Sequence, residues 1–205
     1  DDFWFPTKLA DCVSMIDNEM DFVYHSEYWF DEQNNFKEVE YGSGNHSTYR
    51  NLLYKGNVVS TSSVVVKKSA LLNVGGFCEK ECYKTAEDYD LWTEIAKIPS
   101  VKLINLPEVL FSYRVHDAQI SNQKQRLQEN NSLEIRIKYV QWYLFNQKKI
   151  NISIKSLELN ELINFLRQIE ELLKLNNEKI QPFEPILINL IEKKVQEISF
   201  EDEFY

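Results

Sequence analysis

Residues 75–92 read Gly75-Gly76-Phe77-Cys78-Glu79-Lys80-Glu81-Cys82-Tyr83-Lys84-Thr85-Ala86-Glu87-Asp88-Tyr89-Asp90-Leu91-Trp92. A glycine turn leads through a short loop into a helix start that carries Glu87, Asp88 and Asp90. Carboxylates there sit in the positive end of a helix dipole, which keeps them ionised and holds them in place. That suits a general base. It suits a helix cap equally, because Thr85-Ala86-Glu87-Asp88 has the spacing of a capping box. Asp90 falls on another side of the turn and is expected to be solvated.

Working outward, strand-like and helix-like runs alternate. Pro6, then Leu9, Val13, Ile16 and Met20, mark an amphipathic helix with proline in its first turn. Residues 21–30, rich in aromatic and β-branched side chains, predict a strand. Residues 31–44 are turn-prone and read as a loop or short hairpin, and 46–54 as a short helix ending at Gly56. Ser62 to Lys67 predicts a buried strand, and Ser69 to Val74 one or two helical turns stopped by Gly75. The acidic helix runs over 87–98 and closes at Pro99, and 101–115 divides at Pro107 into two strand-like runs. This alternation predicts an α/β layer. From about residue 123 glycine vanishes, and Leu, Ile, Glu, Lys and Asn dominate. Helices are expected over 123–149, 153–176 and 183–199. Leu159, Leu162, Ile163, Leu166, Ile169, Leu172 and Leu173 form one apolar face. Two domains follow, 1–122 and a helical extension over 123–205. That extension packs on itself or on the sheet, or it docks a protein or membrane partner.

The chain has 205 residues, 43% hydrophobic and 13% aromatic, which describes a folded protein rather than a disordered one. A net charge of −9 argues against a nucleic-acid partner. It leaves room for a diphosphate screened by one metal ion and local cations. The printed residues show neither a signal-peptide pattern nor an apolar run of membrane-spanning length. Cys12, Cys78 and Cys82 make an odd count, which favours a reducing cytoplasm, with the inner membrane face as its variant. Cys78, Cys82 and His116 supply only three zinc-type ligands and no second pair, so zinc is set aside.

The company that the acidic helix keeps is more specific. Asp1-Asp2-Phe3-Trp4-Phe5-Pro6-Thr7-Lys8-Leu9 opens the chain, and Ser60-Thr61-Ser62-Ser63 precedes the glycine turn. Tyr113-Arg114-Val115-His116 follows the helix. In that order and spacing, residues 1–122 resemble the second half of a family-2, GT-A type inverting glycosyltransferase. The pattern there is Asp-x-Asp-Asp-x-Trp-x-Pro-x-Lys-Leu, Gly-Gly-Phe-Asp-Glu, Glu-Asp-Tyr-Asp-Leu-Trp and Tyr-Arg-x-His. The resemblance implies a partial GT-A sheet without its nucleotide-binding N-terminal half, followed by a helical region. It also implies a fragment of a longer protein, inactive alone, since Asp1 falls inside a motif. The implied activity is metal-dependent, inverting transfer of a sugar from a nucleotide-sugar to a hydroxyl of a glycan, lipid-linked intermediate or surface-polymer precursor.

Such a displacement needs a carboxylate to take the acceptor proton and a cation at the departing phosphate. The resemblance places the base at Asp88, with Glu87 beside it to hold the acceptor. Asp1 aligns with the second acid of the Asp-x-Asp element, a hard oxygen ligand suited to magnesium or manganese. His116 reaches the metal or the diphosphate in some relatives, or else is a hydrogen-bonded structural residue. Arg114 is placed to meet phosphate oxygens. Ser62 and Ser63 stand where relatives line the sugar and acceptor pocket, or are simple strand-edge polarity. Gly75 and Gly76 are expected in a loop that closes near the donor. Trp4 is expected to pack under the metal loop, and Lys8 to approach a phosphate or cap a surface. The chain departs from the pattern at Cys78, which stands where an acid is usual and puts donor specificity in doubt. A non-catalytic module that keeps the scaffold and binds a partner through its C-terminal helices is the alternative.

Overall fold

The computed structural model describes residues 2–33, 35–39, 56–80, 83–116 and 124–149, with 151, 153, 157, 158, 160, 161, 164, 165 and 167. The expected helix over 46–54, the one over 183–199, and Asp1 lie outside the described residues. Two compact units emerge, Asp1–Ile135 and Arg136–Tyr205. The division falls within a helix that the composition assigns to the second domain.

The first unit is mixed α/β, as the alternation predicts. Its strands are Phe3–Trp4 (β1), Phe22–Phe30 (β2), Phe36–Val39 (β3), Val65–Val66 (β4) and Leu103–Arg114 (β5). Its helices are Lys8–Asp17 (α1), Lys68–Asn73 (α2) and Glu87–Ala96 (α3), and Gln125–Lys148 (α4) continues into the second unit. The sheet order is β1-β5-β2-β3, with β4 also on β2. The long central strands β2 and β5 run parallel, joined by a crossover that carries β3, β4, α2 and α3. The short strands β1, β3 and β4 pair antiparallel. The turn-prone stretch after β2 is therefore a hairpin, with Phe30 opposite Phe36.

Two strand expectations are corrected. Pro107 does not divide 101–115 into two runs, because β5 is one strand of 12 residues. The register runs from Phe22↔Leu103 to His25↔Leu106, then slips so that Ser26 faces Val109 and Glu27 faces Phe111. The slip takes Pro107, which has no N–H to give a ladder, out of the pairing. Ser62 to Lys67 is likewise not a strand throughout. Thr61–Ser63 forms a 3₁₀ turn, and only Val65–Val66 pairs with β2. The hydroxyl run bonds to its own backbone: both the Ser63 amide (2.9 Å) and the Ser63 hydroxyl (2.7 Å) donate to the Ser60 carbonyl.

Beneath α1 the core joins Cys12, Val23 and Leu110 with Met15, Ile16, Met20, Val65, Ile104 and Leu106. The helix meets this core on a face turned from the expected one. Leu9 and Val13 are 52% and 44% exposed, while Lys8 and Cys12 are fully buried. Other rings pack around Phe22, which meets Trp92 of α3 edge-on at 5.1 Å between centroids. Within the second unit Ile137, Tyr139, Val140 and Phe165 are buried, and Tyr139 stacks on Trp142 at 5.5 Å. Asn160, Glu161, Asn164, Phe165 and Arg167 are helical, inside the helix expected over 153–176. Among the described residues no helix is long and apolar enough to cross a membrane.

Candidate active site

The acidic helix forms where expected, but not through a capping box. Its N-cap is Ala86, with no side-chain cap, and Thr85 sits at φ 71°. A β-branched residue in that left-handed region is strained, and its hydroxyl does not reach the helix. Asp88, in the first turn, takes over part of the task. Its Oδ1 accepts the Tyr89 amide N–H at 2.7 Å, satisfying one of the donors that a helix start leaves without a partner. Asp90 is only 5% exposed, so the expectation that it is solvated is wrong. The helix turns its Asp90 side inward along with Tyr89, Leu91 and Trp92.

The other oxygen of Asp88 faces the segment before β4. Asn57 Nδ2 donates to Oδ2 at 3.0 Å and Thr61 Oγ1 at 3.1 Å. The same segment is pinned to α3 from behind, where Trp92 Nε1 donates to the Val59 carbonyl at 3.1 Å. Burial pushes the Asp88 carboxyl above its ordinary value, against the pull of the bonds from Asn57, the Tyr89 amide and Thr61. The neighbouring Glu87 charge adds a smaller push the same way. One oxygen of Asp88 thus serves the helix start, and the other faces the segment around Asn57 and Thr61. Glu87 is exposed beside it.

One residue further along the 3₁₀ turn, Ser62 Oγ donates to Asp2 Oδ2 at 3.2 Å. Asp2 Oδ1 accepts the Arg114 amide N–H at 3.1 Å. The turn thus links the start of α3 to the N-terminal acid and to the end of β5, two residues before the half-buried His116. Adjacent residues of the turn hold two acids, Thr61 bonding Asp88 and Ser62 bonding Asp2, and Asp2 in turn accepts the main-chain amide of Arg114. Ser63 is fully buried and bonded within the turn, so it is a turn-former rather than a lining side chain.

Gly75 and Gly76 have a local role. With φ 84° and 76°, their amides donate to the Leu72 and Leu71 carbonyls at 3.1 and 3.0 Å, the two-bond ending of a Schellman motif on α2. A Cβ built on either meets nothing within 4 Å.

Lys8 and Trp4 also depart from expectation. Lys8 is fully buried, and its Nζ donates to the Ser62 carbonyl and sits 3.9 Å from the Trp4 ring centroid. Burial lowers its pKa to about 8, opposed by the nearby Glu27 carboxylate. Trp4 is 54% exposed and packs on this ammonium. Read from sequence, Asn57 has no role beyond its place after Gly56, and Thr61 none beyond its place in a hydroxyl run. Their shared carboxylate partner lies 31 and 27 residues further on, which no local pattern shows.

As to a metal, no cluster of three or more His, Cys, Asp or Glu stands together among the described residues. Asp2 spends both oxygens on protein donors. Of the expected ligands, His116 lies two residues beyond β5, and Asp1 precedes the residue anchored there. Hard oxygen from an Asp with one imidazole is a donor set that manganese or magnesium accepts.

Comparison with known proteins gives this geometry a context. The family model described as Glycosyltransferase like family 2 matches residues 1–138. The O-antigen biosynthesis glycosyltransferase WbnJ of Escherichia coli is 31% identical over 130 residues, 62% of this chain and 48% of that protein. An uncharacterized glycosyltransferase of Haemophilus influenzae is 36% identical over 73 residues, 36% of this chain and 21% of that protein. The chain therefore spans about half, or less, of the length of these curated relatives. The mixed α/β architecture, a central sheet with helices α1 to α4 among the described residues, is consistent with a GT-A-like glycosyltransferase domain.

Proposed function

This chain belongs to glycosyltransferase-like family 2, and on that premise we propose that it carries the acceptor-activating part of an inverting sugar transfer. The donor is a nucleotide-sugar and the acceptor a hydroxyl on a glycan or lipid-linked precursor of a surface polymer. The name of the Escherichia coli relative, an O-antigen biosynthesis glycosyltransferase, favours that acceptor class. The reaction runs in the cytoplasm, where nucleotide-sugars are made.

The observation that carries this reading is the Asp88 carboxylate, half-buried, with Oδ2 turned to the Thr61 hydroxyl instead of into its own helix. A carboxylate that already accepts a hydroxyl at 3.1 Å has the place and direction to accept one from a sugar. The acceptor oxygen bonds to the anomeric carbon as the bond from that carbon to the leaving phosphate breaks, and the acceptor proton passes to Asp88. Burial raises the affinity of Asp88 for that proton, which strengthens it as a base. Exposed Glu87 orients the acceptor, and Arg114 meets phosphate oxygens. Asp1 and His116 hold a divalent cation, which when bound neutralises charge on the departing diphosphate.

Asp88→Asn in the full-length protein tests this. Transfer, followed as nucleoside diphosphate release with an acceptor extract, should fall at least about a hundredfold, with donor binding unchanged. Retained turnover would leave Asp88 only its capping role.

A further inference from the structure

Lysine at the start of a surface helix normally keeps its ammonium in water, because burying a charge costs several kcal/mol unless it is paired. Lys8, the first residue of α1, is fully buried instead. Its Nζ donates to the Ser62 carbonyl and lies 3.9 Å from the Trp4 ring centroid and 5.5 Å from that of Phe111. The carboxylate acting on it is Glu27 from β2, while Cys12 of its own helix is a thiol whose pKa burial raises. His25, also on β2, is held neutral with its pKa lowered to about 4, chiefly by burial. The cost of burial is therefore met by one carbonyl, two rings and one carboxylate. To make room, α1 leaves Leu9 and Val13 in solvent.

What this arrangement fixes is specific. The carbonyl that Lys8 holds belongs to the middle residue of the 3₁₀ turn. The residue before it puts its hydroxyl on Asp88, and the Ser62 side chain reaches Asp2. Few bonds hold this turn from outside, and the one from Lys8 comes from beneath the site. We infer that Lys8 is a positioning residue: its buried ammonium sets the height of the Ser60–Ser63 turn and, through Thr61, the orientation of the Asp88 carboxylate. The inference rests on the reading of Asp88 as base and adds to it a residue that touches no substrate.

A double-mutant cycle in the full-length protein tests it, using Lys8→Met, Thr61→Val and the pair. If Lys8 acts through Thr61, Lys8→Met lowers kcat about tenfold, equivalent to one hydrogen bond's worth of transition-state stabilisation. The KM for the donor stays within about twofold, and the pair is no worse than Thr61→Val alone. The acid limb of the kcat–pH profile moves to higher pH in both single variants, because the carboxylate loses a donor that favours its ionised form. Beside it stand Asn57, the Tyr89 amide and the Glu87 charge, which none of these substitutions alters. A carbon-13 titration of the Asp88 carboxyl reports the same shift without substrate. Where Lys8→Met does not fold, Trp4→Leu removes the ring from under the ammonium at an exposed position and moves the titration the same way by less.

Effects that multiply in the pair would overturn the inference. So would an unshifted Asp88 titration in a folded Lys8→Met or Trp4→Leu protein, or lost thermal stability with unchanged kcat. If Asp88→Asn keeps turnover, the base assignment itself falls. If Asp88→Asn is inactive while Lys8→Met behaves as wild type, only the role of Lys8 falls.

Discussion

Replacing Asp88 by Asn should separate activity from stability, and the structure fixes both signs. A general base supplies about 10²–10⁴ in rate, so its loss removes roughly 3–5 kcal/mol of transition-state stabilisation. Stability should change little at pH 7 and should follow pH with a definite sign. The surroundings of Asp88 raise its pKa, with burial outweighing the bonds from Asn57, Tyr89 and Thr61. The folded state therefore holds the proton over a pH range where the unfolded chain has released it. Between the ordinary value of 3.8 and the raised one, stability falls as pH rises, and above that window the whole penalty is present. Asparagine carries one side-chain oxygen, so it accepts either from Asn57 and Thr61 or from the Tyr89 amide, and its NH2 is left facing the other donors, while its neutrality escapes the penalty. The lost hydrogen bonding and the lost attraction to the helix start together take back about 1–2 kcal/mol. At pH 7 the variant should therefore stay close to wild type, within about 2–4 °C for a net change of ~1 kcal/mol in a chain of this size. Relative to wild type it should lose ground as the pH falls toward 4. Thermal scans from pH 4 to 8, alongside turnover, decide it. An asparagine variant clearly less stable than wild type at pH 7, with the gap shrinking in acid, would mean that the ionised carboxylate is chiefly a cap.

Further outcomes follow from other parts of the site. Gly76→Ala meets no steric obstacle but forces alanine to φ 76°, so urea unfolding should show a loss of about 1–2 kcal/mol. An unchanged donor KM would match its role in ending α2, and a raised KM without loss of stability would return the glycines to a donor loop. Trp92→Phe removes the N–H that holds the Val59 carbonyl. It should cost about 1–3 kcal/mol and lower kcat as well, since Asn57 and Thr61 flank that carbonyl. Chelation should abolish transfer, and added manganese or magnesium should restore it. His116→Ala should raise the metal concentration needed for half-maximal rate, whereas turnover indifferent to chelator would remove the cation from the reading.

The elements that single-element periodicity decides were legible in the sequence. β2, the acidic helix and the short helix before Gly75 stand within a few residues of their expected places, because each carries its own signal in composition or termination. Legibility stopped where tertiary partners override a local pattern. Leu9, Val13, Ile16 and Met20 have helical spacing, yet α1 turns Leu9 and Val13 outward and buries Lys8 against the Ser62 carbonyl and the Trp4 and Phe111 rings. Pro107 reads as a break because sequence does not show that a bulge beside β2 can absorb it. Thr85 and Asp88 have capping-box spacing, but the box needs an extended residue ahead of the helix, and Thr85 at φ 71° is not extended.

The hydroxyl run shows why the site residues could be named while their arrangement could not. Val64-Val65-Val66 directly after four small hydroxyl residues gives high strand propensity to the whole segment. A Ser or Thr side chain, however, can bond its own backbone across three residues, and Ser63 does so to Ser60. That local closure converts a strand, whose side chains would alternate between faces, into a turn. Thr61 and Ser62 now point to different carboxylates, Asp88 and Asp2. In an extended strand the two hydroxyls would also diverge, but across the sheet rather than along its end, and only one could reach a helix start. The turn lets a segment with no charge of its own hold two acids far apart in sequence, Asp2 and Asp88. Its stiffness, set by Ser63 within and Lys8 beneath, determines how well they stay in register.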